Sequence, residues 1–223
     1  MLAQSCAATI LKILKDALAL PKLVKPKVDP FETLIVTIIS QNTADTNTER
    51  AFEALSKQFE ITPQTLANSE LCKIEECLHV AGLYRSKAKA IQAASKIVIE
   101  KFKGSLASVL SLPLDEARKT LMALPGVGPK TADVVLLFSA NQPTIPVDTH
   151  VNRVSKRLGL APADGDYEAV RLSLQSIFEP KDFLAAHLLL IAHGRKFCKA
   201  GRPHCHECPV YDYCPSNFLG DKA

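Results

Sequence analysis

No apolar run in the sequence approaches the roughly 18 residues that a membrane-crossing helix needs, so no membrane partner is expected. A secretory leader is not expected either. The apolar N-terminal stretch has no basic segment before it and is interrupted by Lys12, Lys15 and Asp16, which points to an intracellular protein. A strong charge of one sign is also lacking: 27 Lys and Arg against 23 Asp and Glu leave a net charge of +4. That balance permits a polyanionic partner without demanding one. Neither strand-type alternation nor an internal repeat is found. In a reducing compartment the seven cysteines argue against a disulfide framework and direct attention to metal or catalysis.

What remains is helical. With 47% apolar residues over 223 positions, the chain is long enough to bury a real core in one domain or two. Ser5 to Leu20 reads as an amphipathic helix with Ile10, Leu11, Leu14 and Leu18 on one stripe, closed by a Lys/Pro linker at Pro21 and Pro26. Asp29-Pro30-Phe31-Glu32 is a helix start, with Asp29 as cap, Pro30 at the first position and Glu32 completing a capping box. A buried helix follows to Ile39.

The polar stretch Ser40 to Asp45 reads as the cap of the next helix, Thr46 to Phe59. Thr62-Pro63 begins another, with Ile61 and Leu66 as a hydrophobic staple. Gly82 ends a helix before Lys87 to Phe102. That leaves Leu83 and Tyr84 on a loop beside Arg85, Lys87 and Lys89, where an apolar side chain is either folded onto the core or a wedge for a duplex. Asp166 to Phe178 and Phe183 to His193 are two more helices, the second stopped by Gly194. The expected class is all-α, with about ten helices.

Leu124-Pro125-Gly126-Val127-Gly128-Pro129-Lys130 is the most informative stretch. Leu114, Ala117, Leu121 and Leu124 recur at helical spacing before it, and Thr131 to Phe138 continues a helix after it. Two glycines allow positive φ and the close approach of bare amides. Pro129 suits the first helical position, where its missing N–H would have had no partner. Free amides at a helix start favour a phosphate. Further on, Asp148 is placed to cap a helix marked by Val147, Val151, Val154 and Leu158.

Cys198, Cys205, Cys208 and Cys214 are separated by six, two and five residues, among Pro203, Pro209 and Pro215. Four thiolates on one loop suit tetrahedral zinc or a four-iron, four-sulfur cluster, and His204 and His206 keep a mixed zinc site open. Arg195, Lys196, Lys199 and Arg202 make the same loop a cationic platform for duplex phosphates. Cys6, Cys72 and Cys77 read as small buried hydrophobes.

The hairpin from Leu124 to Lys130, then Val147-Asp148-Thr149-His150, then the four cysteines, resembles in content, order and spacing the endonuclease III family of DNA glycosylases, from about Asp29 to Cys214. Ser40 to Asp45 and Gly82 to Ala88 look like that family's lesion-void loops. Met122 departs from the acidic residue some bacterial members carry. The resemblance implies a helix-hairpin-helix glycosylase fold with a six-helix barrel at residues 28–142 and an iron–sulfur cluster domain made of residues 1–27 and 143–223. It implies a [4Fe–4S] cluster on the four cysteines, more structural and DNA-related than redox-catalytic. Lys130 and Asp148 are then the catalytic pair. The DNA-binding set is Gln41, Asn42, Leu83, Gly126, Val127, Gly128, His150, Lys196, Lys199 and Arg202.

The expected partner is duplex DNA with damaged or abasic nucleotides, met by a monomer, associated with the nucleoid if the source is prokaryotic. The expected activity is excision of oxidised or ring-saturated pyrimidines with abasic-site lyase action. Lys130 attacks C1′ of a flipped nucleotide and forms a Schiff base. An unperturbed lysine amine is neutral in only roughly one molecule in a few thousand at neutral pH, and a helix N-terminus with partial burial favours the neutral form. A mismatch glycosylase and a non-catalytic DNA-binding module are the competing readings; the presence of Lys130 counts against the former.

Overall fold

Capping chemistry sets several of the helix starts. Asp29 Oδ1 accepts from the N–H groups of both Phe31 and Glu32, at 2.9 Å each, with Pro30 at the first helical position, so the aspartate caps this helix by itself. Thr62 Oγ1 accepts from Thr65 N, and Asp148 and Asp166 cap two later helices in the same way. Each side chain satisfies an amide that has no intrahelical partner.

The computed structural model describes residues 2–19 and 29–217; the expected linker at Pro21 and Pro26 lies outside the described residues. Among them the elements are α1 (Leu2–Ala17), α2 (Pro30–Ser40), α3 (Asp45–Gln58), α4 (Pro63–Asn68), α5 (Leu71–Leu78), α6 (Tyr84–Phe102), α7 (Ala107–Leu110), α8 (Leu114–Met122), α9 (Pro129–Ala140), α10 (Thr149–Arg157), α11 (Tyr167–Ile177) and α12 (Phe183–Lys196). Short 3-10 turns occur at His79–Ala81, Pro180–Asp182, Cys205–Glu207 and Tyr211–Tyr213. The fold is all-α. It has more helices than the expected ten because the stretch expected as one helix from Thr62 to Gly82 is broken into α4 and α5, and because α7 is a single turn, too short to show a periodic stripe.

The chain forms two compact units, Lys25–Gln142 and Met1–Val24 with Pro143–Ala223. In the first, α2 packs on α3, α6 and α9, α4 and α5 pack on α6, and α8 packs on α9. Its core holds Leu34, Ile35, Ile38, Ile91, Leu121, Val127 and Val135. Helices α8 and α9 are also joined by a buried ion pair, with Arg118 Nε donating to Asp133 Oδ1 at 2.9 Å. The Asp133 side chain is fully buried. In the second unit, α1 packs on α11 and α12, and α10 on α11 and α12. Ile10, Leu11, Leu14 and Leu18 are buried, as the stripe predicts.

Three local expectations are corrected. Gly194 does not stop a helix, since α12 runs through it to Lys196. A Cβ there would lie 3.0 Å from His150 Nδ1 and 3.1 Å from Val154 Cγ2, so the glycine serves the close approach of α10. The Ser40–Asp45 patch does not cap α3, whose cap position is Ala44 with no side-chain bond. Tyr84 is not a loop residue but the first of α6.

Breaking one half of a buried pair leaves a charge without its partner, at a cost of about 3–5 kcal/mol. Arg118→Met should lower stability by that order, read as a shift in the urea midpoint. An unchanged midpoint would mean that Asp133 does not depend on this arginine.

Candidate nucleic-acid interface and iron–sulfur site

Helix α8 ends at Met122 because the chain must turn, and Gly126 supplies the turn with φ +77°. This is the left-handed region that other residues enter at a cost. A Cβ on Gly126 would stand 2.7 Å from Ala90 Cβ on α6, so glycine is required twice over. Gly128 differs from the expectation of two left-handed glycines. It is extended (φ −95°, ψ −178°), and a Cβ there would meet nothing within 4 Å.

Val127, expected among the DNA contacts, faces inward. Its side chain is buried in the core, and its N–H closes the turn on Leu124 O at 3.1 Å. The amides of Gly126 and Gly128 stay outside that bond. Pro129 then opens α9 and places half-buried Lys130 in the first helical turn.

The end of α2 reaches the same turn. Gln41 Nε2 donates to Gly126 O at 2.8 Å and to Thr131 Oγ1 at 3.2 Å, so one side chain joins the Ser40–Ala44 loop to the hairpin. Asn42 is exposed and left-handed, with φ 51°. Leu83 is also left-handed, with φ 48°, and 64% exposed. This overturns the reading of Leu83 as a side chain folded onto the core.

In the other unit, Asp148 Oδ1 accepts from Val151 N at 2.7 Å. His150 Nδ1 accepts from Arg153 Nη2 at 3.0 Å. Lys130 and Asp148 thus belong to different units. The four cysteines of the C-terminal loop line one cavity, together with His193, Phe197, Arg157 and Tyr211. Lys196, Lys199 and Arg202 are exposed on that loop, with Lys196 Nζ 5.0 Å above the Phe197 ring.

Two residues missed in the sequence hold the cysteine loop. Arg153 Nε donates to Cys198 O at 3.0 Å and its Nη2 to Gly194 O at 3.0 Å. One turn later, Arg157 donates to Lys199 O at 2.7 Å, Ala200 O at 3.0 Å and Cys198 Sγ at 3.5 Å. Arginines at i and i+4 on a helix ahead of a cysteine loop were the available signal. Their forked donors suit the irregular carbonyls of such a loop.

Burial governs the chemistry of this cavity. It pushes the Cys208 thiol up to about 11 and raises that of Cys214 as well. Burial also lowers His193 to about 4, so its ring is neutral at physiological pH. His193 Nε2 lies 3.8 Å from Cys208 Sγ, within reach of a hydrogen bond to sulfur. Among the described residues no three His, Cys, Asp or Glu side chains stand close enough to hold one metal ion. Four sulfurs arrayed round one cavity suit a polynuclear cluster better than a single zinc. Cys198, Cys205, Cys208 and Cys214 would hold it, displacing their protons as iron binds.

Residues 35–180 match the HhH-GPD superfamily of base excision DNA repair proteins, and residues 198–214 match the iron–sulfur binding domain of endonuclease III. The class is therefore a helix-hairpin-helix base-excision enzyme with an iron–sulfur domain. Endonuclease III of Sulfolobus acidocaldarius is 37% identical over 185 residues, covering 82% of this chain and 81% of the relative. A non-covalent endonuclease III–DNA complex superposes with a TM-score of 0.85 at 32% identity, over 100% of both chains. A trapped endonuclease III–DNA covalent intermediate does so with 0.83 at 33%, over 97% of this chain and 98% of that one. The chain belongs to the endonuclease III family. It is a base-excision DNA glycosylase whose partner is DNA and whose cofactor is a [4Fe–4S] cluster.

Two outcomes test these assignments. Gly126→Ala combines a positive φ, costing about 1–2 kcal/mol, with overpacking of about 1–3 kcal/mol, and should lower the urea midpoint sharply. Gly128→Ala should leave it unchanged. Cys208→Ala should abolish the visible sulfur-to-iron absorption and lower the melting temperature. Full absorption in that variant would remove Cys208 from the ligand set.

Proposed function

We propose that this glycosylase also cleaves the strand, acting as a bifunctional N-glycosylase and abasic-site lyase on oxidised or ring-saturated pyrimidines in duplex DNA. The observation that carries this reading is Lys130, half-buried in the first turn of the helix that leaves the glycine hairpin.

Once a nucleotide is rotated out of the stack, the neutral Lys130 amine attacks C1′. The C1′–N bond breaks, and the base leaves with the bonding pair and a proton. Ring opening gives a Schiff base between Lys130 Nζ and C1′. Loss of a C2′ proton then expels the 3′ phosphate, and water releases the lysine. Asp148 accepts the amine's proton and stabilises the cationic sugar-like transition state.

Open space at Gly128 supports a phosphate approaching the hairpin amides. Exposed Leu83 and the adjacent Gln41 and Asn42 fill the space a flipped base leaves. Gln41 is favoured over Asn42 because its amide already reaches the hairpin. His150 and the cations Lys196, Lys199 and Arg202 contribute contacts from the second unit. The [4Fe–4S] cluster keeps the cysteine loop folded, so that those cations are presented at fixed positions.

Lys130→Ala should abolish borohydride trapping on lesion-bearing duplex and strand cleavage at abasic sites, while melting temperature and cluster absorbance stay at the wild-type level. Trapping that survives would remove Lys130 as nucleophile. Base release without strand cleavage by the wild type would instead favour a monofunctional mismatch glycosylase.

A further inference from the structure

A lysine that the excision chemistry does not use is, among the described residues, the most deeply buried cation in the first unit. Lys87, on the first turns of α6, is 4% exposed. Its ammonium has three protons and no acceptor capacity, and three oxygens receive them. Nζ donates to Ile39 O at 2.8 Å, Ala81 O at 2.8 Å and Thr43 Oγ1 at 2.5 Å. Thr43 Oγ1 also contacts Ala81 O and lies 3.1 Å from Gln41 O.

The acceptors are not arbitrary. Ile39 O belongs to the last turn of α2, and Ala81 O ends the 3-10 turn after α5. Carbonyls at such ends lack intrahelical partners and carry the negative pole of the helix, so one cation serves two helix ends.

The backbone just past each carbonyl is unusual. Past Ile39 the chain makes the left-handed turn at Asn42, and past Ala81 it makes two left-handed residues, Gly82 (φ 61°) and Leu83 (φ 48°). A leucine in this region is held against its own steric preference, and Leu83 is too exposed for packing to hold it. Lys87 supplies the restraint from both sides: its backbone N–H bonds to Leu83 O at 3.1 Å while its side chain holds Ala81 O. Burial pushes the Lys87 pKa below its usual value, and the three oxygen acceptors work against that by favouring the charged form.

We propose that Lys87 is a positioning residue that locks the Ser40–Ala44 and Ala81–Leu83 loops into one rigid pair, so that Gln41 and Leu83 enter the duplex together when a base is extruded. The proposal rests on the void-filling role assigned to those two side chains. It adds that their joint placement is stored in the free enzyme by a single buried cation, rather than assembled on DNA.

The test uses the cluster-containing enzyme and three duplexes: intact, bearing a tetrahydrofuran abasic analogue, and bearing that analogue opposite 2-aminopurine. Lys87→Met keeps the apolar stem and removes the three donors. Melting temperature and cluster absorbance establish folding. Binding to intact duplex should stay within about two-fold of wild type, while the preference for the analogue should fall about ten-fold or more. The 2-aminopurine fluorescence change on binding should shrink in parallel.

Leu83→Ala should show the same loss, and the double variant no further loss, because the two residues act as one device. If Lys87→Met does not fold, Thr43→Val, which removes one acceptor without changing shape, should lose preference in the same direction and by less. Full preference in Lys87→Met, or in Thr43→Val where that variant stands in, or a double variant whose losses multiply, overturns the clamp. A wild type that binds intact and analogue duplexes equally overturns the void-filling assignment itself, and the clamp with it.

Discussion

A turn with no room for a methyl group sets the geometry of the first unit. Gly126 sits so close to Ala90 that the chain reverses between α8 and α9 directly against α6. Because Val127 is drawn into the core, the turn cannot rock. The Arg118–Asp133 pair fastens the two helices across it. The start of α9, and with it Lys130, is consequently located by core packing rather than by loop flexibility. A side chain placed in this way needs little reorganisation to meet a ligand.

Around that anchor the same problem is met twice, by different means. An irregular segment has to be held in one place, although its backbone carbonyls have no helical partners. In the first unit a buried lysine gathers two helix ends. In the second, Arg153 and Arg157 send forked donors from α10 to the carbonyls of Cys198, Gly194, Lys199 and Ala200. The choice suits the geometry. An ammonium is a compact point with three divergent donors, and a guanidinium spans a plane of spaced acceptors. Both arrangements shift the cost of an irregular backbone onto a rigid helix.

The residues with the clearest local chemistry were legible without coordinates. Asp29 and Asp148 cap helices because their side chains satisfy nearby amides, an interaction contained within four residues. The four cysteines stood out because no other residue type explains that spacing. Gly194 departs from its local meaning for a distant reason. Glycine reads as a helix stop, and neighbours far along the chain override that meaning. His150 and Val154 make room only for hydrogen at position 194, and no spacing rule shows that.

Sequence alone therefore determined the helices, the hairpin, the cysteine quartet and the family, because each is written in short-range periodicity or in motifs. Tertiary structure decided the rest. It left Leu83 exposed and left-handed, brought Gln41 onto Gly126 O, and made Lys87 the common partner of Ile39, Thr43 and Ala81. Apart from Lys87 and Ala81, which are six residues apart, these relations join positions about forty to ninety residues apart, through groups whose types are ordinary in isolation. A lysine on an exposed-looking loop and a lysine buried between two helix ends have the same letter; only the surrounding carbonyls distinguish them.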